Sequence, residues 1–159
     1  MKIEIREADI SDVKTIADFN SRMALETEEK ALDPARIEAG VSGLIEDPGK
    51  GQYWVAESAG TIIGQIMVTY EWSDWRNGVF WWIGSVYIAD THRRQGVFSA
   101  LYKHVESLAQ HDRGVCGIRL YVERGNDRAQ QTYRSLSMHD AGYIVMESIF
   151  PAGEESTNA

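Results

Sequence analysis

The sequence predicts one domain of mixed α/β class (α+β), built around a mixed β-sheet. Its 159 residues suit a single hydrophobic core, and 43% of them are hydrophobic. Apolar residues recur at every second position in some segments and at helical spacing in others. A long helical segment lies between two apolar strands, and such a crossover makes the two strands parallel. These observations exclude a disordered or fibrous chain.

The first elements are a strand and two helices. Ile3 and Ile5 alternate with charged residues, which predicts the strand. A helix follows that Asp9 or Ser11 is expected to cap. The apolar face of this helix contains Val13, Ile16, Ala17, Met23 and Ala24. Asp33-Pro34 predicts the start of the second helix, because aspartate caps helices and proline suits the first helical position.

A hairpin and an apolar strand come next. Residues 53–56 and 62–70 have strand periodicity and are separated by a turn at Ala59-Gly60. A polar loop, residues 72–78, leads to residues 79–88, which are apolar almost throughout. This run predicts a strand covered on both faces, at the centre of the sheet.

The last third of the chain alternates helices with strands. Residues 98–109 have helical spacing, residues 116–122 predict a strand, and residues 127–136 predict a helix. A closing strand is expected at residues 142–150. The predicted order is therefore βααβββαβαβ, with the domain over residues 1–150 and a flexible tail over residues 151–159.

Composition excludes several classes of function. With a net charge of −8, the protein has no overall positive field of the kind that attracts proteins to nucleic acid. No apolar run is long enough to span a membrane, and the N-terminus has no signal-peptide pattern. The single cysteine, Cys116, excludes an internal disulfide and favours a cytoplasmic location with a buried, inert thiol. No pattern of metal ligands is present, so no metal site is expected.

One segment has the character of an anion-binding site. A buried strand, residues 85–88, leads through a basic turn into an amphipathic helix. The first turn of a helix presents unpaired N–H groups and a positive dipole end to an anion such as a diphosphate. Arg93 and Arg94 add positive charge, and Gly96 allows a close approach to the backbone. The alternative is a solvated connection. The glycine patterns of NAD and ATP loops are absent.

This turn resembles motif A of the GNAT superfamily of N-acetyltransferases, written Gln/Arg-x-x-Gly-x-Gly/Ala, whose loop holds the diphosphate of acetyl-coenzyme A (acetyl-CoA). Phe98 replaces the final small residue and is expected to narrow the approach to the diphosphate, although the backbone N–H groups remain. The resemblance implies acetyl-CoA as the cosubstrate. The residues that it implies for binding the diphosphate are Arg93, Arg94, Gln95, Gly96, Val97, Phe98 and Ser99.

A second segment resembles motif B of the same superfamily. Asn126 and Tyr133 lie seven residues apart, which places both on one side of a helix. By resemblance, Asn126 contacts the cosubstrate and Tyr133 is the general acid near the thioester sulfur. The alternatives are a helix N-cap for Asn126 and a core aromatic for Tyr133. The usual Leu-Gly-Phe ending is replaced by Leu136-Ser137-Met138.

The resemblance also implies a fold and a function. It implies helices on both faces of the sheet and a splay between the fourth and fifth strands, with pantetheine bonded to backbone near Val86 and Ile88. It implies an N-acetyltransferase in which a primary amine of a small molecule or peptide attacks the thioester directly, and it favours a homodimer. Two alternatives remain: a non-catalytic acyl-CoA-binding module of the same fold, and a purely structural domain that binds no CoA.

The candidate general base is a carboxylate. Glu71 is the first choice, because it ends a strand on the more polar face beside a loop with two tryptophans; a solvated strand-end carboxylate is the alternative. Asp74 and Glu123 are the other candidates. Trp72 and Trp75, with Asp74, are expected to form an aromatic and acidic rim for a cationic amine.

Overall fold

A five-stranded sheet organises the fold. The structure, a computed structural model, describes residues 1–153. The elements in chain order are β1 (Glu4–Glu7), α1 (Val13–Glu28), α2 (Pro34–Ile45), β2 (Gly51–Ser58), β3 (Thr61–Ser73), β4 (Gly78–Ile88), α3 (Val97–His111), β5 (Val115–Leu120) and α4 (Asp127–Ser135). Short 3-10 turns occur at Ile10–Asp12, Asp90–His92 and Pro151–Gly153. No helix within residues 1–153 is both long and apolar enough to cross a membrane.

The described residues fall into two compact units. Residues 1–120 contain the whole sheet with α1, α2 and α3. Residues 121–153 contain α4 and the extended segment that follows it. The predicted tail over residues 151–159 begins with the Pro151–Gly153 turn, and its remainder lies outside the described residues.

The sheet is mixed, as the sequence predicts. Its strand order is β1-β2-β3-β4-β5; the first three pairings are antiparallel, and β4 pairs with β5 in parallel. The α3 crossover between β4 and β5 explains this parallel pair. The expectation that residues 79–88 form the centre of the sheet is wrong, because β3 is the middle strand and β4 lies next to the edge.

Helices cover both faces of the sheet, which confirms the expected architecture. Neighbouring residues of a strand point to opposite faces, and two residues of β3 identify them. Gln65 bonds Asn20 of α1, whereas Gly64 lies against Val97 and Leu101 of α3. A Cβ on Gly64 would come within 3.3 Å of three side-chain atoms, so glycine permits this close packing of α3. On the α1 face, Ile16, Ala17, Val41, Tyr53 and Val55 form a buried cluster.

The local signals for helix starts hold in the structure. The Asp33 side chain accepts a 3.1 Å hydrogen bond from the Ala35 N–H, with Pro34 at the first helical position. Asp9 caps the short turn that precedes α1. Asp12, at the end of this turn, receives hydrogen bonds of 2.7 and 2.9 Å from Arg6, and Arg6 also bonds Glu57 of β2. This ion cluster joins β1, β2 and the start of α1.

Three further sequence expectations are wrong. Residues 142–150 form no strand, and their side chains are exposed. Strand periodicity alone is not sufficient, because a strand also needs a neighbouring strand edge to pair with. Cys116 is exposed instead of buried, because β5 is an edge strand. Trp72 lies in β3 instead of the loop, since this strand continues to Ser73.

We predict that Asp12→Asn lowers the free energy of unfolding by about 2–3 kcal/mol at neutral pH, because Arg6 loses a buried ionic partner. Hydrogen bonding from Arg6 lowers the pKa of the Asp12 carboxyl. The contribution is therefore complete above the unfolded-state pKa of about 3.9 and is lost as the pH falls through the lower folded-state value. Urea unfolding at neutral and acidic pH measures the difference.

The matched control is Asp18→Asn. Asp18 forms an exposed pair with Arg22 at 2.9 Å within α1, with both side chains 54% exposed. Such pairs contribute at most about 1 kcal/mol. Equal losses in the two variants, or a loss at Asp12 that persists in acid, would contradict this account of the cluster.

Candidate functional site

The C-terminal half of β4 has a free edge. Parallel pairing between β4 and β5 ends at Ile83 and Leu120, and β4 continues to Ile88. Gly84–Ile88 therefore has no strand partner on the β5 side within residues 1–120. This is the expected separation of the fourth and fifth strands, and it contains both predicted backbone positions, Val86 and Ile88. An unpaired strand edge offers main-chain N–H and C=O groups to an extended ligand.

A β-bulge lies within this free half of β4. The register with β3 shifts between Gln65 and Met67, where β4 has one extra residue. Ser85 in this bulge has φ of 47°, in the left-handed region that side chains other than glycine rarely adopt. Residues in such strained conformations persist only where surrounding contacts hold them, and they cluster at functional sites.

Buried polar side chains hold the bulge from the α1 face. Gln65 Nε2 donates to the Ser85 carbonyl at 3.1 Å and to Asn20 Oδ1 at 2.9 Å. Asn20 Nδ2 donates in turn to the Tyr53 hydroxyl at 3.3 Å. Burial raises the pKa of Tyr53, so its hydroxyl keeps its proton at neutral pH. Helix α1 and strands β2 and β3 thus converge on one residue of β4.

The turn after β4 leaves the N-terminus of α3 open. Arg94 has φ of 62° and Gly96 has φ of 82°, so the turn is built around two left-handed residues. Gln95 Nε2 braces it by donating to the Thr91 carbonyl at 3.1 Å. Gly96 is the N-cap of α3 and provides no capping side chain, whereas Asp33 and Asn126 cap α2 and α4. The start of α3 therefore has no side-chain cap from its N-cap residue, and such a helix start suits an anion.

The two arginines of the turn have different environments. Arg93 is bound by α1: its Nη2 lies 2.8 Å from Glu26 Oε2, and its Nε donates to the Ile88 carbonyl at 3.0 Å. The same Glu26 carboxylate accepts a 3.0 Å hydrogen bond from the Tyr87 hydroxyl. Hydrogen bonding from Arg93 lowers the pKa of the Glu26 carboxyl. Burial, and to a smaller extent the hydrogen bond to Glu26, raises the pKa of the Tyr87 hydroxyl. The Arg94 guanidinium is exposed and has no partner within residues 1–153.

Phe98 is half-buried at the start of α3, one turn before Tyr102. The centroids of these two rings are 6.0 Å apart. The Phe98 ring thus has an aromatic contact along its own helix. A phenylalanine in place of the motif's usual small residue does not remove the N–H groups of the first helical turn, because these groups belong to the backbone.

In the second unit, Asn126 and Tyr133 lie on α4. Asn126 is the N-cap, because its Oδ1 accepts from the Ala129 N–H at 3.1 Å, as its alternative interpretation predicts. Burial raises the pKa of Tyr133, so its hydroxyl holds a proton at neutral pH. Ser137, at the position of the family's usual glycine, has φ of 66°. This left-handed conformation is the one that glycine favours.

Glu71 lies at the opposite end of β4 from the turn. Glu71, in β3, pairs with Phe80 of β4. At the usual spacing of residues in a strand, Phe80 lies roughly 25 Å from Ile88 at the other end of β4. Glu71 Oε1 accepts a 2.6 Å hydrogen bond from Arg119 of β5, whose guanidinium stacks on Phe80 at 3.7 Å. The structure thus gives Glu71 a salt-bridge partner and does not bring it close to the turn.

The other residues predicted to bind or activate the amine are exposed to solvent or form hydrogen bonds with main-chain groups. Trp72 is 62% exposed and Trp75 is 86% exposed. Asp74 Oδ1 accepts from the Trp75 N–H at 2.8 Å. In the second unit, Glu123 is exposed, and its carbonyl receives a hydrogen bond from the Asn126 N–H at 3.0 Å.

Val86, Ile88 and the turn from Arg93 to Ser99 lie along one continuous stretch of the first unit, from the free half of β4 to the start of α3. Four residues that shape this region were not predicted from the sequence: Glu26, Asn20, Gln65 and Ser85. Gly84-Ser85 interrupts an apolar run, and such an interruption in a strand is a signal for a bulge. The partners of Glu26 and Asn20 are distant in sequence and give no local signal. Within residues 1–153, no three His, Cys, Asp or Glu side chains come together to hold a metal ion.

Comparisons with known proteins show the family of the chain. A model of the acetyltransferase (GNAT) family matches residues 13–138. A crystal structure of a possible acetyltransferase from Clostridium difficile 630 is 45% identical, with a TM-score of 0.89 over 94% of this chain and 99% of that chain. A search of the curated proteins finds no match.

More distant structures share the fold. A predicted acetyltransferase with acetyl-CoA, from Clostridium acetobutylicum, has 16% identity and a TM-score of 0.77 over 92% of this chain and 96% of that chain. A ribosomal-protein-alanine N-acetyltransferase from Brucella melitensis biovar Abortus 2308 has 15% identity and a TM-score of 0.73, over 94% of this chain and 99% of that chain. At these identities the likeness is one of fold alone.

Proposed function

Because this chain belongs to the acetyltransferase (GNAT) family, we propose that it transfers the acetyl group of acetyl-CoA to a primary amine of a small molecule or peptide. The observation that carries the proposal is the free edge of β4 leading directly into the open N-terminus of α3. An extended pantetheine chain fits the first feature and a diphosphate fits the second.

The proposed cosubstrate site uses the turn from Arg93 to Ser99. Its N–H groups, from Gly96 onward, would bind the diphosphate, and Arg94 would add a guanidinium that no side chain within residues 1–153 occupies. Arg93 contributes by fixing the start of the turn through Glu26 and the Ile88 carbonyl. Val86 and Ile88 would bond pantetheine through the backbone, and Asn126 is the proposed contact from α4.

The proposed reaction is a direct transfer. The amine nitrogen bonds to the thioester carbonyl carbon, the carbon–sulfur bond breaks, and the nitrogen releases one proton as the amide forms, which replaces the proton that Tyr133 gives to the thiolate. An alkylamine is protonated at pH 7 in all but about one molecule in 2,500, so a base must first remove a proton. Glu71 is the proposed base, with Asp74 and Glu123 as alternatives. Tyr133 donates a proton to the leaving thiolate; burial, which keeps it protonated, supports this role.

Three further features belong to the proposal. The exposed Trp72 and Trp75, together with Asp74, would form a rim that attracts a cationic amine. The proposed location is the cytoplasm, which the single cysteine, Cys116, favours, and the proposed assembly is a homodimer, by resemblance to the superfamily.

We predict that Arg94→Ala raises the dissociation constant (Kd) of acetyl-CoA about tenfold, because a charge-assisted hydrogen bond contributes roughly 1.5–3 kcal/mol and partial solvation reduces this value. Isothermal titration calorimetry measures the change. The control is Arg113→Ala, which removes the same charge beyond the C-terminal end of α3. Equal effects of the two substitutions would show that the turn makes no specific contact.

We predict that Tyr133→Phe slows acetyl transfer about 10- to 100-fold at an unchanged Kd for acetyl-CoA, because it removes only the proton donor. Because burial raises the pKa of Tyr133 above its usual value of about 10, the residue stays protonated, and the effect should persist from about pH 6 to about pH 9. The assay is the release of free CoA with a panel of amines and peptides.

The control for this substitution is Tyr143→Phe, an exposed tyrosine of the second unit. Binding of acetyl-CoA without transfer to any amine would favour the alternative function, a non-catalytic acyl-CoA-binding module. Transfer at the same rate in both variants would remove Tyr133 from the mechanism.

A further inference from the structure

The bulge in β4 is held by a buried network that the proposed chemistry does not yet use. Ser85 has a strained φ of 47°, and its carbonyl accepts the 3.1 Å hydrogen bond from Gln65 Nε2. Gln65 is fully buried in the middle strand of the sheet. Its second hydrogen bond, to Asn20, connects the bulge to α1.

The Ser85 carbonyl fixes the orientation of this network. A carbonyl oxygen can only accept, so the Gln65 atom that faces it must be the amide nitrogen. The same nitrogen donates to Asn20 Oδ1, which leaves Asn20 Nδ2 to donate to Tyr53. Gln65 Oε1 is buried and has no hydrogen-bond partner within residues 1–153. The hydrogen bonds of this amide are thus directed to the bulge and to α1.

The bulge lies where β4 first loses its β5 partner. Pairing ends at Ile83, and Ser85 follows in the free half of the strand. Main-chain N–H groups here are not used by β5. A fixed N–H group stabilises developing negative charge on an oxygen better than a mobile one, because no reorganisation is needed during the reaction.

We propose that Gln65, supported by Asn20 and Tyr53, is a positioning residue that fixes the β4 bulge so that its main-chain N–H groups polarise the thioester carbonyl. This inference rests on the proposed function, since it requires an acyl-CoA thioester along β4. Gln65 acts through the backbone and does not touch the thioester. A role in packing alone would affect folding but not the polarisation of a bound carbonyl.

The test is isotope-edited infrared spectroscopy of acetyl-CoA labelled with carbon-13 at the acetyl carbonyl. It needs no knowledge of the amine. Bound to the unaltered protein, the carbonyl stretch should lie at a lower frequency than in free acetyl-CoA, because hydrogen bonding weakens the C=O bond. In Gln65→Met the shift should be lost or strongly reduced, while the Kd of acetyl-CoA changes by less than about threefold, since the diphosphate contacts remain.

Gln52→Met is the matched control. Gln52 lies in β2, and its Nε2 also donates to a main-chain carbonyl, that of Tyr53, at 2.7 Å. This variant should keep the full shift. If Gln65→Met fails to fold, Tyr53→Phe removes the hydroxyl that Asn20 contacts and should reduce the shift partially.

The outcomes separate the two proposals. Failure of the unaltered protein to bind acetyl-CoA would overturn the proposed function and this inference together. Binding without a carbonyl shift, or a full shift in Gln65→Met (in Tyr53→Phe if Gln65→Met does not fold), would overturn the positioning role and leave the proposed function intact.

Discussion

The point at which β4 and β5 part is the constraint on which the site depends. Parallel pairing stops at Ile83 and Leu120, and the remaining residues of β4 carry an unpaired edge towards the start of α3. Unpaired strand edges and uncapped helix ends are both unfavourable unless water or a ligand satisfies them. Here the two lie next to each other in the chain, so one elongated ligand with an anionic end can satisfy both.

Contacts from α1 hold this region in shape. Glu26 fixes Arg93 and Tyr87, and Asn20 reaches the bulge through Gln65. The two residues lie nearly two helical turns apart on α1, so one helix braces both the strand and the turn after it. Through Arg6, the Asp12 cluster anchors the start of the same helix to β1 and β2. The shape of the site therefore depends on how α1 packs, although α1 contributes none of the residues that motif A contains.

The features that were predicted correctly from the sequence are those that depend on residues close together in the chain. Asp33-Pro34 marked the start of α2, and the periodicity of residues 98–109 marked α3, because capping and amphipathic spacing act within a few residues. The pairs Glu26–Arg93 and Asn20–Gln65 were not predictable, since each joins residues far apart in sequence. The strand expected at residues 142–150 was wrong for a related reason: its composition suits a strand, but pairing depends on an edge that the segment itself does not provide.

The central claim is that the turn after β4 holds the diphosphate of acetyl-CoA. Thermal unfolding with and without excess acetyl-CoA tests it most directly, with ATP and NAD as controls. A ligand at 100 times its Kd adds about 2.7 kcal/mol of stability, so the account predicts a rise in Tm of several degrees with acetyl-CoA alone. An unchanged Tm at millimolar acetyl-CoA, or an equal rise with ATP or NAD, would contradict it.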